Sequence, residues 1–393
     1  MHLSEIASGI LAGIAAGAEP QKKLSAELCR LTESPRCALL SSGRAAMTVM
    51  MSAVANARAA EGRDEVIVAG YTCYSVPASV LRAGLKVRLC DVDPSTLSLD
   101  LEALGRFNFS RVAAIVSANL YGIPNDLGAL ERLAAQHGVW LIDDAAQALG
   151  ARVAGRPVGG FGAGGVLSFD KGKNITTIQG GAALLRDDRL ASQFDKRFAE
   201  VCRTDTIATA ALVTKLLVYA LALRPVLYEY VQRLPLLGLG KTVYEDDFPV
   251  CRLSGTLSGV ALRLLERLDD LQDTRAANAA ALQSSLASCR GIRFVESLPD
   301  AVPAYARFPI FIADARAREA AIATLHASGI GATTSYPEAL CDVPEVAANL
   351  QPADRKLPGS RAVARSIVTL PTHPYCPPNF GDTVARALRP LLA

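Results

Sequence analysis

The stretch "LIDDAAQALG" (residues 141–150) decides the fold class. With Val139 and Trp140 before it, its first half is apolar enough for a strand buried on both faces, and that strand runs into two carboxylates, Asp143 and Asp144. Strands covered on both faces belong to α/β sheets, where ligands bind beyond the carboxyl ends of the strands. A carboxylate held at such an end loses hydration unless a cation or N–H donors face it. Two readings follow for the pair: a helix cap or surface acids, or a counter-charge for a bound cation.

The same rhythm extends outward from there. "CALLSS" (37–42), "DEVIVAG" (64–70), "KVRLCDV" (86–92), "VAAIVSANL" (112–120), "GGVLSFD" (164–170) and "GAALLRD" (181–187) are short apolar runs separated by helical patterns. Alternation of this kind predicts a mixed, mostly parallel sheet with right-handed crossovers between helices. Further on, 253–288 reads as one long amphipathic helix. A strand around "ARFPIFIAD", a helix stopped at Gly329, a strand at "SIVTLPTH" and a last helix then predict a small α+β domain. The expected division is a large domain over 1–250 and a smaller one over 251–393.

Two more features fall at predicted strand ends. "SSGRAA" (41–46) opens a helix after the first strand, and its backbone N–H groups and helix dipole suit an anion such as phosphate, or serve only as an N-cap. "GGVLSFDKGKN" (164–174) leads into a loop with Ser168, Lys171 and Lys173. A loop lysine is either solvated or, where its neutral form is accessible, a Schiff-base nucleophile. An anion seat, a carboxylate and a lysine, in that chain order on α/β crossovers, are the parts that pyridoxal phosphate (PLP) chemistry requires.

Composition bounds the alternatives. The chain has 393 residues, half of them hydrophobic and 20% charged, with a net charge of +3. That balance gives no basis for nucleic-acid binding. Nine scattered cysteines show no CxxC spacing, so neither a metal site nor a disulfide framework is expected, and reduced thiols in the cytoplasm are the plain reading. The N-terminal "GILAGIAAGA" lacks the basic flank of a signal peptide. The apolar segment 207–239 begins with a run that holds Lys215 centrally, which disfavours a membrane span. Buried helices are expected there, with membrane-surface or partner contact as the rival.

From about residue 36 to its end the chain resembles the DegT/StrS aminotransferases, the sugar aminotransferase branch of the fold-type I PLP enzymes. The carriers are "SSGRAA", "DEVIVAGYTC", "NLYGIPNDL", "DDAAQALGA", "VGGFGAGGVLSFDKGKNITTIQGG", "ERLDDL", "SYPEAL" and "TLPTHPY". The resemblance implies a seven-stranded large domain and a homodimer with interfacial active sites. It selects Lys173, five residues after Ser168, as the Schiff-base lysine, and leaves Lys171 auxiliary. It pairs Asp144 with the pyridinium nitrogen and puts Gln147 on the ring. It seats the phosphate on Ser168 and the backbone of Gly43, Arg44 and Ala45. The implied reaction moves an amino group, from glutamate as the expected donor, to a keto-sugar that is expected to be nucleotide-linked.

Departures from the family pattern surround this set. Arg44 replaces a threonine and could bring a guanidinium to the phosphate. Cys73 stands where an aromatic residue usually stacks on the ring, flanked by Tyr71 and Tyr74. Val250 takes the place of an asparagine that reaches the partner subunit, and Gln179 that of a glutamate. A shifted substrate follows, with Tyr74, Arg307 and Tyr336 as candidate contacts; Arg307 reads equally well as a surface arginine at a strand start. The rival functions are elimination, racemisation or transamination on an amino acid or lipid-like substrate, and a non-catalytic coenzyme-binding regulator.

Overall fold

A computed structural model describes residues 3–15, 18–203, 206–222 and 243–392. The strands expected from the apolar runs form. They are β1 (Arg36–Leu40), β2 (Glu65–Ala69), β3 (Lys86–Cys90), β4 (Val112–Ala118), β5 (Trp140–Asp144), β6 (Gly164–Ser168) and β7 (Gly181–Leu185). Two short strands, β8 (Cys202–Arg203) and β9 (Cys251–Arg252), extend the sheet to nine, in the order β8-β9-β1-β7-β6-β5-β4-β2-β3. From β3 to β6 every pairing is parallel; β7 runs antiparallel to both β6 and β1. Strands β2, β4, β5, β6 and β7 are buried at every residue, which explains why they read as continuous apolar runs rather than alternating ones.

Among the described residues, the helices of eight or more residues are twelve. They are α1 (Leu3–Ala15), α2 (Glu19–Thr32), α3 (Gly43–Arg58), α4 (Ser75–Arg82), α5 (Leu127–Gln136), α6 (Asp188–Glu200), α7 (Thr206–Ala222), α8 (Gly255–Leu265), α9 (Leu268–Leu286), α10 (Ala315–Ala327), α11 (Pro358–Ser366) and α12 (Phe380–Leu388). Residues 9–15 of the N-terminal apolar stretch lie on α1, which packs on α8 through small residues. A Cβ on Gly9 would come within 2.6 Å of Val260 Cα, so the two backbones are nearly in contact.

Register places the site. Ala118 pairs with Asp144, Asp144 with Val166, Ser168 with Gly181 and Gly181 with Leu40. The ends of β1, β4, β5 and β6 therefore lie side by side at one edge of the sheet. The turn 41–43, Asn119, Asp144 and Ser168 share that edge.

The long helix expected over 253–288 is two helices, broken at Glu266–Arg267. The core that is served changes along α9: Leu268 at its start still joins the large core, and its later residues join another. Leu257, Val260, Ala261 and Leu264 of α8 join the large core. Ala279, Leu282 and Leu286 of α9 join a second core with Ile310, Val368, Leu370, Val384 and Leu388. Residues 251–265 thus pack with the large sheet, past the division expected at 250. The second core covers one face of a small sheet of β10 (Ile292–Phe294), β11 (Phe308–Ile312) and β12 (Ile367–Leu370). Gly329, at φ +74°, ends α10 as expected.

Of the apolar segment 207–239, residues 207–222 belong to α7, where Leu212, Leu216 and Ala220 are buried while Ile207, Val218 and Leu221 are exposed. Residues 223–239 lie outside the described residues. Among the described residues no helix is long and apolar enough to cross a membrane.

Candidate active site

A cavity of about 290 Å³ opens at this edge of the sheet. Its wall brings together Gly43, Arg44, Cys73, Asp144, Gln147, Ser168 and Lys173. These are seven of the residues singled out from sequence, drawn from turns and strand ends far apart in the chain.

Strand parity separates the two acids. Successive residues of a strand face opposite sides of the sheet, so Asp143 and Asp144 cannot share a role. Asp143 is fully buried and spends its carboxylate on the fold. It accepts from Asn119 Nδ2 (2.8 Å), Gly159 N–H (2.6 Å) and Phe161 N–H (3.4 Å). Burial outweighs those donors and pushes its carboxyl up to about 7. Asp144 faces the cavity, 7% exposed, with a single donor from Ala146 N–H at 3.0 Å. Burial raises its pKa, while the Ala146 N–H and the Lys173 charge pull it back. A carboxylate that is desolvated yet sparsely bonded is suited to a bound cation.

The two lysines part at Gly172. Its φ of +74° reverses the loop between them; Lys171 is exposed, while Lys173 is half-buried and acts on the Asp144 carboxyl. Both touch the cavity. The loop is braced by Thr177 N–H on Phe169 O (2.9 Å) and Phe169 N–H on Gly180 O (2.8 Å). Arg275 of α9 also reaches Lys173 O at 3.5 Å.

The anion seat has little spare room. Ser42 caps α3 by accepting the Ala45 N–H at 3.0 Å, so of the three backbone positions named from sequence, Gly43 and Arg44 line the cavity and Ala45 stands behind them. A Cβ on Gly43 would lie 2.7 Å from Ser168 Cβ, and one on Gly181 would lie 2.5 Å from Ser42 C. Only glycines let these three segments close together. Buried Thr72 Oγ1, also on the wall, has no hydrogen-bond partner. These observations fit PLP. The turn and Ser168 offer donors for a phosphate, Thr72 carries an unspent hydroxyl, Asp144 meets a ring cation, and Lys173 supplies an amine.

The substrate candidates stand behind the wall. Gln147 lines the cavity and is fixed from both sides: its Oε1 accepts from Tyr121 N–H at 3.0 Å, and its Nε2 donates to Tyr336 Oη at 2.9 Å. Tyr336 is buried, and its ring stands edge-on to Tyr71, with centroids 5.7 Å apart. Tyr74 leans on Tyr336 and bonds the Glu338 backbone. Neither tyrosine lines the cavity. Arg307 does not line it either: its guanidinium bonds Thr369 Oγ1 (2.7 Å), Thr369 O (2.8 Å) and Gly331 O (2.5 Å), tying β11 to β12. Cys73 is on the wall, accepting from Ser75 Oγ at 3.0 Å.

Several wall residues escaped the sequence reading. Arg44 pairs with Glu245 and lies 5.1 Å from the Phe248 ring, so the strap 245–249 closes one side; Pro249 is on the wall and Val250 is not. Leu212 and Lys215, one helical turn apart on α7, close another. Lys215 drew notice only as a charge interrupting an apolar run. Its i, i+3 relation to Leu212 was the available signal.

Sheet order, site position and donor set together define a fold-type I PLP-transferase. The chain belongs to the DegT/DnrJ/EryC1/StrS aminotransferase family, whose model matches residues 12–211 and 227–389. It is 32% identical over 266 residues to an L-glutamine:2-deoxy-scyllo-inosose aminotransferase of Micromonospora echinospora, a match covering 68% of this chain and 57% of that relative. The match to a dTDP-3-amino-3,4,6-trideoxy-alpha-D-glucose transaminase of Streptomyces venezuelae is 28% identical, over 79% of this chain and 72% of the other. Among solved structures, S. venezuelae DesV in complex with a ketimine intermediate superposes with a TM-score of 0.77 at 25% identity, covering 98% of this chain and 94% of that one.

Proposed function

We propose that the chain is a PLP-dependent aminotransferase that passes an amino group from glutamate or glutamine to the keto group of a sugar or related polyhydroxylated ring. The convergence of Lys173, Asp144, Ser168 and the turn at Gly43–Arg44 on one cavity carries this reading. The names of the relatives support the acceptor class. When bound, PLP supplies an electron-accepting ring that stabilises negative charge at the carbon losing its proton. Asp144, buried with one donor, would keep the ring nitrogen protonated. The Lys173 amine would hold the coenzyme's aldehyde carbon and would serve as the base that takes up and returns the proton of the donor's Cα. Gly43, Arg44 and Ser168 would anchor the phosphate, and Gln147, clamped by Tyr121 and Tyr336, would contact the ring.

Lys171 and Lys215 are exposed and on the wall, which suits the charge of a nucleotide-linked acceptor. A homodimer belongs to the same reading. Ile207, 84% exposed, and Val218 and Leu221 on α7 would be covered in it.

The test loads the protein with PLP and adds L-glutamate or L-glutamine. The absorbance should move to the pyridoxamine phosphate form as the 2-oxo acid appears, and a keto-cyclitol or nucleotide-linked keto-sugar should reverse it. Bound coenzyme with no response to any amino donor would refute the proposal.

A further inference from the structure

A pair of thiols stands beside this site, at the base of its wall. Cys202 of β8 and Cys251 of β9 are direct partners in a parallel pairing, with Sγ atoms 2.7 Å apart. Adjacent strands lie about 4.8 Å apart, inside the roughly 4.4–6.8 Å between Cα atoms that disulfides span. Cys202 is exposed and Cys251 half-buried. None of the nine cysteines is in a disulfide.

The pair also has a place in the architecture. Cys251 O accepts from Ser41 N–H at 2.8 Å, and Cys251 N–H donates to Ser41 Oγ at 3.2 Å. Ser41 immediately precedes the cap of α3, so β9 is sewn to the anion seat. The chain between the two cysteines holds Leu212, Lys215, Glu245, Phe248 and Pro249, all on the cavity wall.

We propose that Cys202 and Cys251 form a reversible disulfide that joins the two ends of this wall segment. With hydrogen peroxide, the exposed Cys202 thiolate attacks one oxygen and becomes a sulfenic acid, releasing hydroxide. The Cys251 thiol then attacks the Cys202 sulfur, an S–S bond forms and water leaves. Two thiols and one peroxide give one disulfide and two waters. With a small-molecule disulfide, Cys202 forms a mixed disulfide and releases one thiol, and Cys251 displaces the second. Either route closes a covalent loop around the wall segment and leaves the sheet register unchanged. The proposal stands whatever the cavity binds.

The full chain is treated with hydrogen peroxide or glutathione disulfide, alkylated and mapped by mass spectrometry. The expected result is a peptide linking Cys202 to Cys251, two fewer alkylated cysteines, and reversal by dithiothreitol. Protease cuts inside 204–250 should leave fragments joined until reductant is added. In Cys251→Ser the joined fragments should be lost, with Cys202 trapped as a sulfenic acid or mixed disulfide. Recovery of Cys202 and Cys251 as separate alkylated peptides after the oxidant is consumed would overturn the proposal. So would a disulfide joining Cys202 of two chains.

Discussion

Asp144→Asn separates a functional carboxylate from a structural one, because the two roles predict opposite outcomes. The side chain is 7% exposed, with one N–H donor at 3.0 Å and the charge of Lys173 nearby. Burial already disfavours its charged form. An asparagine of the same shape can still accept the Ala146 N–H, so the empty variant should be as stable as the parent within about 1 kcal/mol. With PLP bound the balance reverses. Breaking a buried ion pair costs about 3–5 kcal/mol, and at roughly 1.4 kcal/mol per decade the coenzyme should bind about 10²–10⁴-fold more weakly. The assay is a PLP titration by absorbance, beside urea unfolding of the empty protein. Unchanged affinity would refute the reasoning, as would a loss of affinity matched by an equal loss of stability in the empty chain.

Gly181→Ala should destabilise by about 1–3 kcal/mol and weaken PLP binding, because the new Cβ meets the backbone of Ser42 and Gly43; Gly105→Ala, with open space around it, is the control in the same urea series. Tyr336→Phe removes the hydroxyl that holds Gln147 but keeps the ring, so it should lower the stability of the empty protein by about 1 kcal/mol in the urea series and alter the bound coenzyme's absorption. Asp143 sets a pH dependence. Its folded pKa, about 7, lies above the ordinary 3.8. Its contribution is therefore complete below pH 3.8 and lost as pH rises through about 7. Over that window the stability difference between the parent and Asp143→Asn should change by up to about 4 kcal/mol, and a flat difference would contradict the assignment.

How much of this was legible in the sequence depends on the range of the signal. Apolar runs specify buried strands locally, so the large sheet from β1 to β7 followed from them. Period-two alternation puts Asp143 and Asp144 on opposite faces but does not say which one faces the open side; the family resemblance made that choice. Proximity across the fold is another matter. Arg307 and Tyr74 had the right chemistry, but their partners are Thr369, Gly331 and Glu338, more than twenty residues away in each case, and no local pattern encodes that. The Arg44–Glu245 pair spans 201 residues and the Cys202–Cys251 pair 49, and both were invisible for the same reason. The break between α8 and α9 was hidden because both halves carry apolar faces; which core each face meets is a tertiary fact.

The most direct test of the central claim is borohydride reduction of the PLP-loaded protein, followed by peptide mapping. A phosphopyridoxyl group is expected on Lys173 and none on Lys171. A label on Lys171, or a protein that takes up no coenzyme, would contradict it.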